Sequence, residues 1–139
     1  MSNYGRREFI AACCALSLTA CNIKKITAAK IALGNITQFS DGDNVLDFYR
    51  LIIRRQTIEG KYFFCAMSKL CTHQSCLLNF ANSTFTCPCH GSQFSNDGSL
   101  LKGPAQVNLP YYRLSFENQQ IFVSFSELVE ASWKLEVAL

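Results

Sequence analysis

Residues 71–92 read Cys71-Thr72-His73-Gln74-Ser75-Cys76, a ten-residue connection, then Cys87-Pro88-Cys89-His90-Gly91-Ser92. Each six-residue box offers a thiolate and an imidazole at close spacing, with a second cysteine to spare. Two Cys and two His are the ligand set of either a structural zinc site or a [2Fe–2S] cluster with mixed ligation. Zinc motifs typically pair like with like, C-x2–4-C and then H-x3–5-H. Here each box mixes the two types, C-x-H and C-x2-H, so each loop could give sulfur to one metal and nitrogen to another. Two such loops pressed together would set both cysteines on one iron and both histidines on the other. The spacing favours iron and sulfide over a zinc-binding structural module.

Both boxes resemble those of Rieske iron–sulfur proteins, in the disulfide-containing subclass of the cytochrome bc1 and b6f complexes. That resemblance implies that Cys71 and Cys87 bind one iron and His73 and His90 the other, in one [2Fe–2S] cluster. It also implies a disulfide between Cys76 and Cys89 joining the loops. Gly103-Pro104-Ala105 stands where the family has a proline loop covering the cluster from a third side. Ser92 matches the serine whose hydroxyl bonds a bridging sulfide. Two residues on, high-potential members carry a tyrosine that bonds a ligand sulfur; here the residue is Phe94, which has no hydroxyl. Gln74 is polar where the bc1 type has an apolar, quinol-facing residue.

Charge explains what mixed ligation does. Two ferric ions and two sulfides leave two positive charges, which two thiolates cancel, whereas four thiolates would leave the centre doubly negative and harder to reduce. Rieske potentials accordingly run at roughly −150 to +300 mV, far above plant-type ferredoxins. The expected activity is one-electron transfer at high potential, with no catalysis by this chain alone. Each imidazole keeps a second nitrogen, so electron and proton transfer can couple. The missing donor at Phe94 predicts a potential below that of tyrosine-bearing relatives.

The N-terminus carries a different signal. Tyr4-Gly5-Arg6-Arg7-Glu8-Phe9-Ile10 is followed by an apolar run to Ala20 and then Cys21. A charged start, a short apolar core and small residues before a cysteine read as an export signal, residues 1–21, ahead of a single domain at 22–139. The paired arginines resemble a twin-arginine signal, with Gly5 in place of the usual Ser or Thr. Export in the folded state suits a cluster that is assembled in the cytoplasm. Residues 9–21 make only about 20 Å of helix against roughly 30 Å of hydrocarbon, short for a span. Leu18-Thr19-Ala20-Cys21 resembles a lipobox, so lipidation of Cys21 is the expected tether, with an uncleaved N-terminal segment as the other route. The expected location is the periplasmic face of a bacterial membrane. The expected partners are a cytochrome b- or c-type or other redox subunit, and quinol. A second role is as the tethered Rieske subunit of another exported oxidoreductase of the arsenite oxidase kind.

Outside the boxes, strand signals dominate. Residues 47–55 are aromatic and β-branched, Glu59-Gly60 supplies a turn, and residues 61–67 form a second apolar run that buries Cys65 as a small core thiol. Residues 111–116 and 121–125 flank a hairpin turn at Glu117-Asn118-Gln119-Gln120, and Asp41-Gly42-Asp43-Asn44 and Asn96-Asp97-Gly98 mark further turns. The prediction is an antiparallel all-β domain of small sheets, with both boxes on hairpin loops at one end. Residues 127–139 predict a short helix, capped by Ser126 and supported by Glu130 and Lys134 at i,i+4. The chain carries 13 basic and 10 acidic residues. Arg54 and Arg55 fall on opposite faces of a strand, a solvated edge and not a nucleic-acid patch.

Overall fold

The computed structural model describes residues 29–138; the segment expected to be an export signal, residues 1–21, falls outside them together with Cys21. Among the described residues, eleven strands form two antiparallel sheets. The larger sheet contains β1 (Ile31–Asn35), β2 (Gly42–Leu46), β3 (Leu51–Ile58), β4 (Lys61–Ser68), β9 (Tyr111–Glu117), β10 (Gln120–Val129) and β11 (Leu135–Ala138). Its order is β1-β10-β9-β4-β3-β2, with β11 also paired to β4. The smaller sheet runs β5 (Asn79–Ala81), β6 (Thr84–Thr86), β7 (Gln93–Ser95) and β8 (Leu100–Lys102) in sequence order. The all-β expectation holds.

Two cores lie on the two faces of β3 and β4. Leu51, Ile53, Phe64 and Ala66 join Ile36, Phe39, Leu114, Ile121 and Val123 on one side. Ile52, Cys65 and Met67 face the other way and meet Leu78, Phe85, Phe94 and Leu109. Successive side chains point to opposite faces, so a strand covered on both sides needs an unbroken apolar run. That is the reason Leu51-Ile52-Ile53 and Phe64-Cys65-Ala66-Met67 are continuous. Cys65 is a buried free thiol, as expected.

The tight turns obey backbone sterics. Glu59 and Gly60, Asn82 and Ser83, and Asn118 and Gln119 all take positive φ. Each pair forms the two-residue loop of a hairpin, where positive φ at both positions matches the twist of the strands.

Four local expectations are corrected. Residues 47–49 form a 3-10 turn, and Arg50 takes a left-handed conformation (φ 55°), so β3 begins only at Leu51. Gly42 to Asn44 lie in β2, not in a turn; Asn44 instead bonds Ser40 and the Ile53 carbonyl through its side chain. Arg54 and Arg55 do point apart, but β3 is an interior strand between β2 and β4, and they pair with Asp43 and Asp41. The helix expected over 127–139 is absent. β10 continues through a three-residue bulge to pair Leu128 and Val129 with Tyr112 and Tyr111, and β11 pairs with β4. The alternation Leu135-Glu136-Val137 prevails because Val137 fills the core and β4 has a free edge below Ala66.

Candidate metal centre

Both boxes are the same loop made twice. In the first, the Cys71 N–H donates to the Cys76 carbonyl at 2.9 Å and the Ser75 N–H returns to the Cys71 carbonyl at 2.8 Å. In the second, the Cys87 N–H donates to the Ser92 carbonyl at 2.8 Å and the Gly91 N–H returns to the Cys87 carbonyl at 3.0 Å. The fifth residue of each loop takes the left-handed region, Ser75 at φ 56° and Gly91 at φ 78°. A Leu70–Leu77 bridge closes the first loop, and the β6–β7 pairing closes the second.

The disulfide between Cys76 and Cys89 is present and ties the loops together. With those two sulfurs bonded to each other, Cys71 and Cys87 remain as buried free thiols. Cys71 hydrogen-bonds Cys87. Burial raises the Cys87 pKa, but the backbone N–H groups of Cys89 and His90, with Cys71, outweigh it and leave the thiol below its ordinary value. His73 and His90 are exposed, their rings edge to face with centroids 4.9 Å apart. The four residues therefore divide into a buried sulfur pair and a solvent-facing nitrogen pair. The Sγ atoms of Cys76, Cys87 and Cys89 also lie within 4.8 Å of one another. A disulfide has no thiolate to give, so that trio is not a metal site as it stands.

A third loop covers the pair of boxes and is fastened to both. Ala105 donates its N–H to Ser92 Oγ at 3.0 Å, and Thr72 Oγ1 donates to the Val107 carbonyl at 2.8 Å. Ser92 is fully buried and accepts from Ala105, so its own proton is left to donate. Gly103–Pro104 is a cis peptide in this loop. Phe94 is fully buried, opposite Phe85 in the β6–β7 register, in the same core as Cys71 and Cys87. Gln74 is exposed at the loop tip. Nothing in the sequence marks Thr72 beyond a hydroxyl between Cys71 and His73. Nor does the sequence mark Tyr111, whose hydroxyl donates to the Asp97 carbonyl at 2.9 Å and braces the turn after β7 against the larger sheet.

Two free thiols, two convergent imidazoles and backbone N–H groups aimed at sulfur suit a cluster of mixed ligation. Fold and loops together define an iron–sulfur protein of the cysteine–histidine class. The model of the Rieske [2Fe-2S] domain matches residues 28–113, and the chain belongs to that family, whose domain carries one [2Fe–2S] cluster. It is 34% identical over 113 residues to the cytochrome b6-f complex iron-sulfur subunit of Prochlorococcus marinus (strain MIT 9303), covering 70% of this chain and 62% of the relative. The chain thus spans less than two thirds of that relative's length. The subunit of the same description from Chlorobaculum tepidum is 36% identical over 63 residues, 44% of this chain and 35% of the relative. The crystal structure of the cyanobacterial plasma membrane Rieske protein from Synechocystis PCC 6803 superposes with a TM-score of 0.41 at 28% identity, covering 67% of this chain and 97% of that one.

Proposed function

We propose that the chain is a one-electron carrier whose [2Fe–2S] cluster is held by Cys71 and Cys87 on one iron and His73 and His90 on the other. The observation that carries this reading is the division of the four residues, thiols buried side by side and imidazoles converging at the surface. When bound, the cluster supplies reversible one-electron reduction at high potential. The chain's own residues set how it does so. The thiolates cancel the core charge, the N–H groups of Cys89 and His90 and the Ser92 hydroxyl stabilise negative charge on sulfur, and the exposed imidazoles offer the contact edge for a partner. A ring nitrogen not engaged by iron remains able to carry a proton.

The setting we propose is an exported, membrane-associated subunit of a respiratory complex that passes electrons from quinol toward a cytochrome. Similarity to cytochrome b6-f iron-sulfur subunits and the twin-arginine-like Arg6-Arg7 support it. Among the described residues no helix is long and apolar enough to cross a membrane. The tether we propose is residues 1–21, by lipid on Cys21 or by the uncleaved segment, on the lipobox-like Leu18-Thr19-Ala20-Cys21. Phe94 and Gln74 favour a second reading, a tethered electron carrier for another exported oxidoreductase of the arsenite oxidase kind. Co-purification separates them, a cytochrome b supporting the first and a large molybdopterin subunit the second.

Iron and sulfide analysis with EPR of the full chain tests the core of the proposal. The expected result is two irons and two sulfides per chain, with the Rieske spectrum lost in His73→Ala and in His90→Ala. A spectrum retained by either variant refutes the ligand assignment.

A further inference from the structure

The sulfur trio beside the candidate centre has a chemistry of its own. Cys87 is free and buried, yet its Sγ lies within 4.8 Å of both sulfurs of the Cys76–Cys89 disulfide. Among the free cysteines of the described residues it alone belongs to that trio. A thiolate in reach of a disulfide exchanges with it through an attack on one sulfur and departure of the other.

We infer that in the chain without its cluster, Cys87 displaces Cys89 from Cys76. The Cys87 thiolate attacks Cys76 Sγ, the Cys76–Cys87 bond forms, the Cys76–Cys89 bond breaks, and Cys89 leaves as a thiolate that takes up the proton Cys87 gave. No oxidant or reductant is consumed. Chain entropy slightly favours the exchange. Sequence separation falls from 13 to 11, a difference that changes loop closure by a factor of about 1.3. Attack on Cys89 Sγ would instead close a ring across Pro88 alone, so Cys76 is the partner chosen.

The consequence follows from the proposed ligand set, on which this inference rests. In the exchanged chain Cys87 is consumed and Cys89, exposed to solvent, is the free thiol. One of the two buried sulfurs is lost to iron. Iron bound at Cys87 blocks the exchange, so the cluster keeps its own disulfide in register. A fraction of empty chains with the disulfide already closed passes into a form that cannot be loaded.

Iron and sulfide are first assayed in the purified full chain, then removed with EDTA under argon at about pH 8, where a free cysteine is partly ionised. Thiols are capped with N-ethylmaleimide before digestion with chymotrypsin, since no Lys or Arg lies between Lys69 and Lys102. Fragmentation at Pro88 then tells Cys87 from Cys89. The loaded chain is expected to show Cys76–Cys89 alone. The stripped chain is expected to show Cys76–Cys87 with a capped Cys89 in roughly a tenth or more of molecules, as for two disulfides of comparable stability. Reconstitution with ferrous iron and sulfide should fall short by the same fraction until a thiol reductant is added. Stripped chains with Cys76–Cys89 only, or with any pairing other than Cys76–Cys87, overturn the inference. A chain purified without iron overturns the functional reading instead, and its disulfide map still decides the exchange.

Discussion

Replacing Phe94 with tyrosine tests how the centre is tuned. The ring is fully buried, in register with Phe85, and packs in the same core as Cys71 and Cys87. By the resemblance to tyrosine-bearing relatives, a para hydroxyl placed there is expected to donate to a ligand sulfur. Such a bond favours the reduced, more negative cluster over the oxidised one by about 1 kcal/mol, since hydrogen bonds to charged acceptors are about twice as strong as neutral ones. For a one-electron couple a tenfold change, about 1.4 kcal/mol, is 59 mV, so the Phe94→Tyr midpoint should rise by about 40–60 mV. An EPR-monitored redox titration reads the shift, and thermal unfolding read alongside gives an independent check. A hydroxyl that misses sulfur is a buried unsatisfied donor and costs about 1–3 kcal/mol of stability. An intact spectrum with an unmoved midpoint refutes the reasoning, whether or not the melting temperature falls.

Other perturbations have equally definite outcomes. Ser92→Ala should lower the midpoint by tens of millivolts through loss of one donor, about 1 kcal/mol. It also orphans the buried Ala105 N–H, so urea unfolding should show a loss of about 1–3 kcal/mol. Ser75→Gly relieves a left-handed non-glycine residue (φ 56°) and should stabilise the chain by up to about 1 kcal/mol in the same assay, with no change in the EPR spectrum. The Cys76→Ser, Cys89→Ser double variant removes a cross-link worth about 3 kcal/mol in the chain-entropy model, and its cluster should be lost faster to a chelator. The Tyr111 pKa is pushed up to about 12, by burial first and by the Cys65 thiol's charge next. A raised folded pKa means stability is complete below about pH 10 and declines as pH rises toward 12. Chemical denaturation across that range should show the decline in the parent and not in Tyr111→Phe.

How much of this was legible in the sequence depends on the distance over which each feature is decided. The boxes and the hairpins at Glu59-Gly60 and Asn118-Gln119 are local, and their residues announce them. The Cys76–Cys89 pairing followed from the family pattern, and the structure bears it out. Residues 127–139 misled because the Glu130–Lys134 spacing is a helical signal, while what decides the segment is the free lower edge of β4, more than sixty residues earlier. Residues 47–49 misled because aromatic content does not show that Arg50 turns left-handed. The ties from Ala105 to Ser92 and from Thr72 to Val107 were illegible for the same reason. Each joins residues 13 or 35 positions apart, and neither end carries a periodic pattern.

The repeated loop frame makes the two halves of the site unequal partners. Counted from the first cysteine of each frame, the histidine stands third in one loop and fourth in the other, while the bridging cysteine stands sixth and third. One backbone shape thus presents two different readouts, and the imidazoles meet at 85° and not stacked in parallel. Exchanging the two hexapeptides would preserve every backbone hydrogen bond of both frames and still scramble the centre. His73 would also lose its place beside Pro104, Ala105 and Val107, with which it lines a cleft of about 490 Å³. A chimera of the two loops would therefore keep both backbone frames and set the right atoms on the wrong sides.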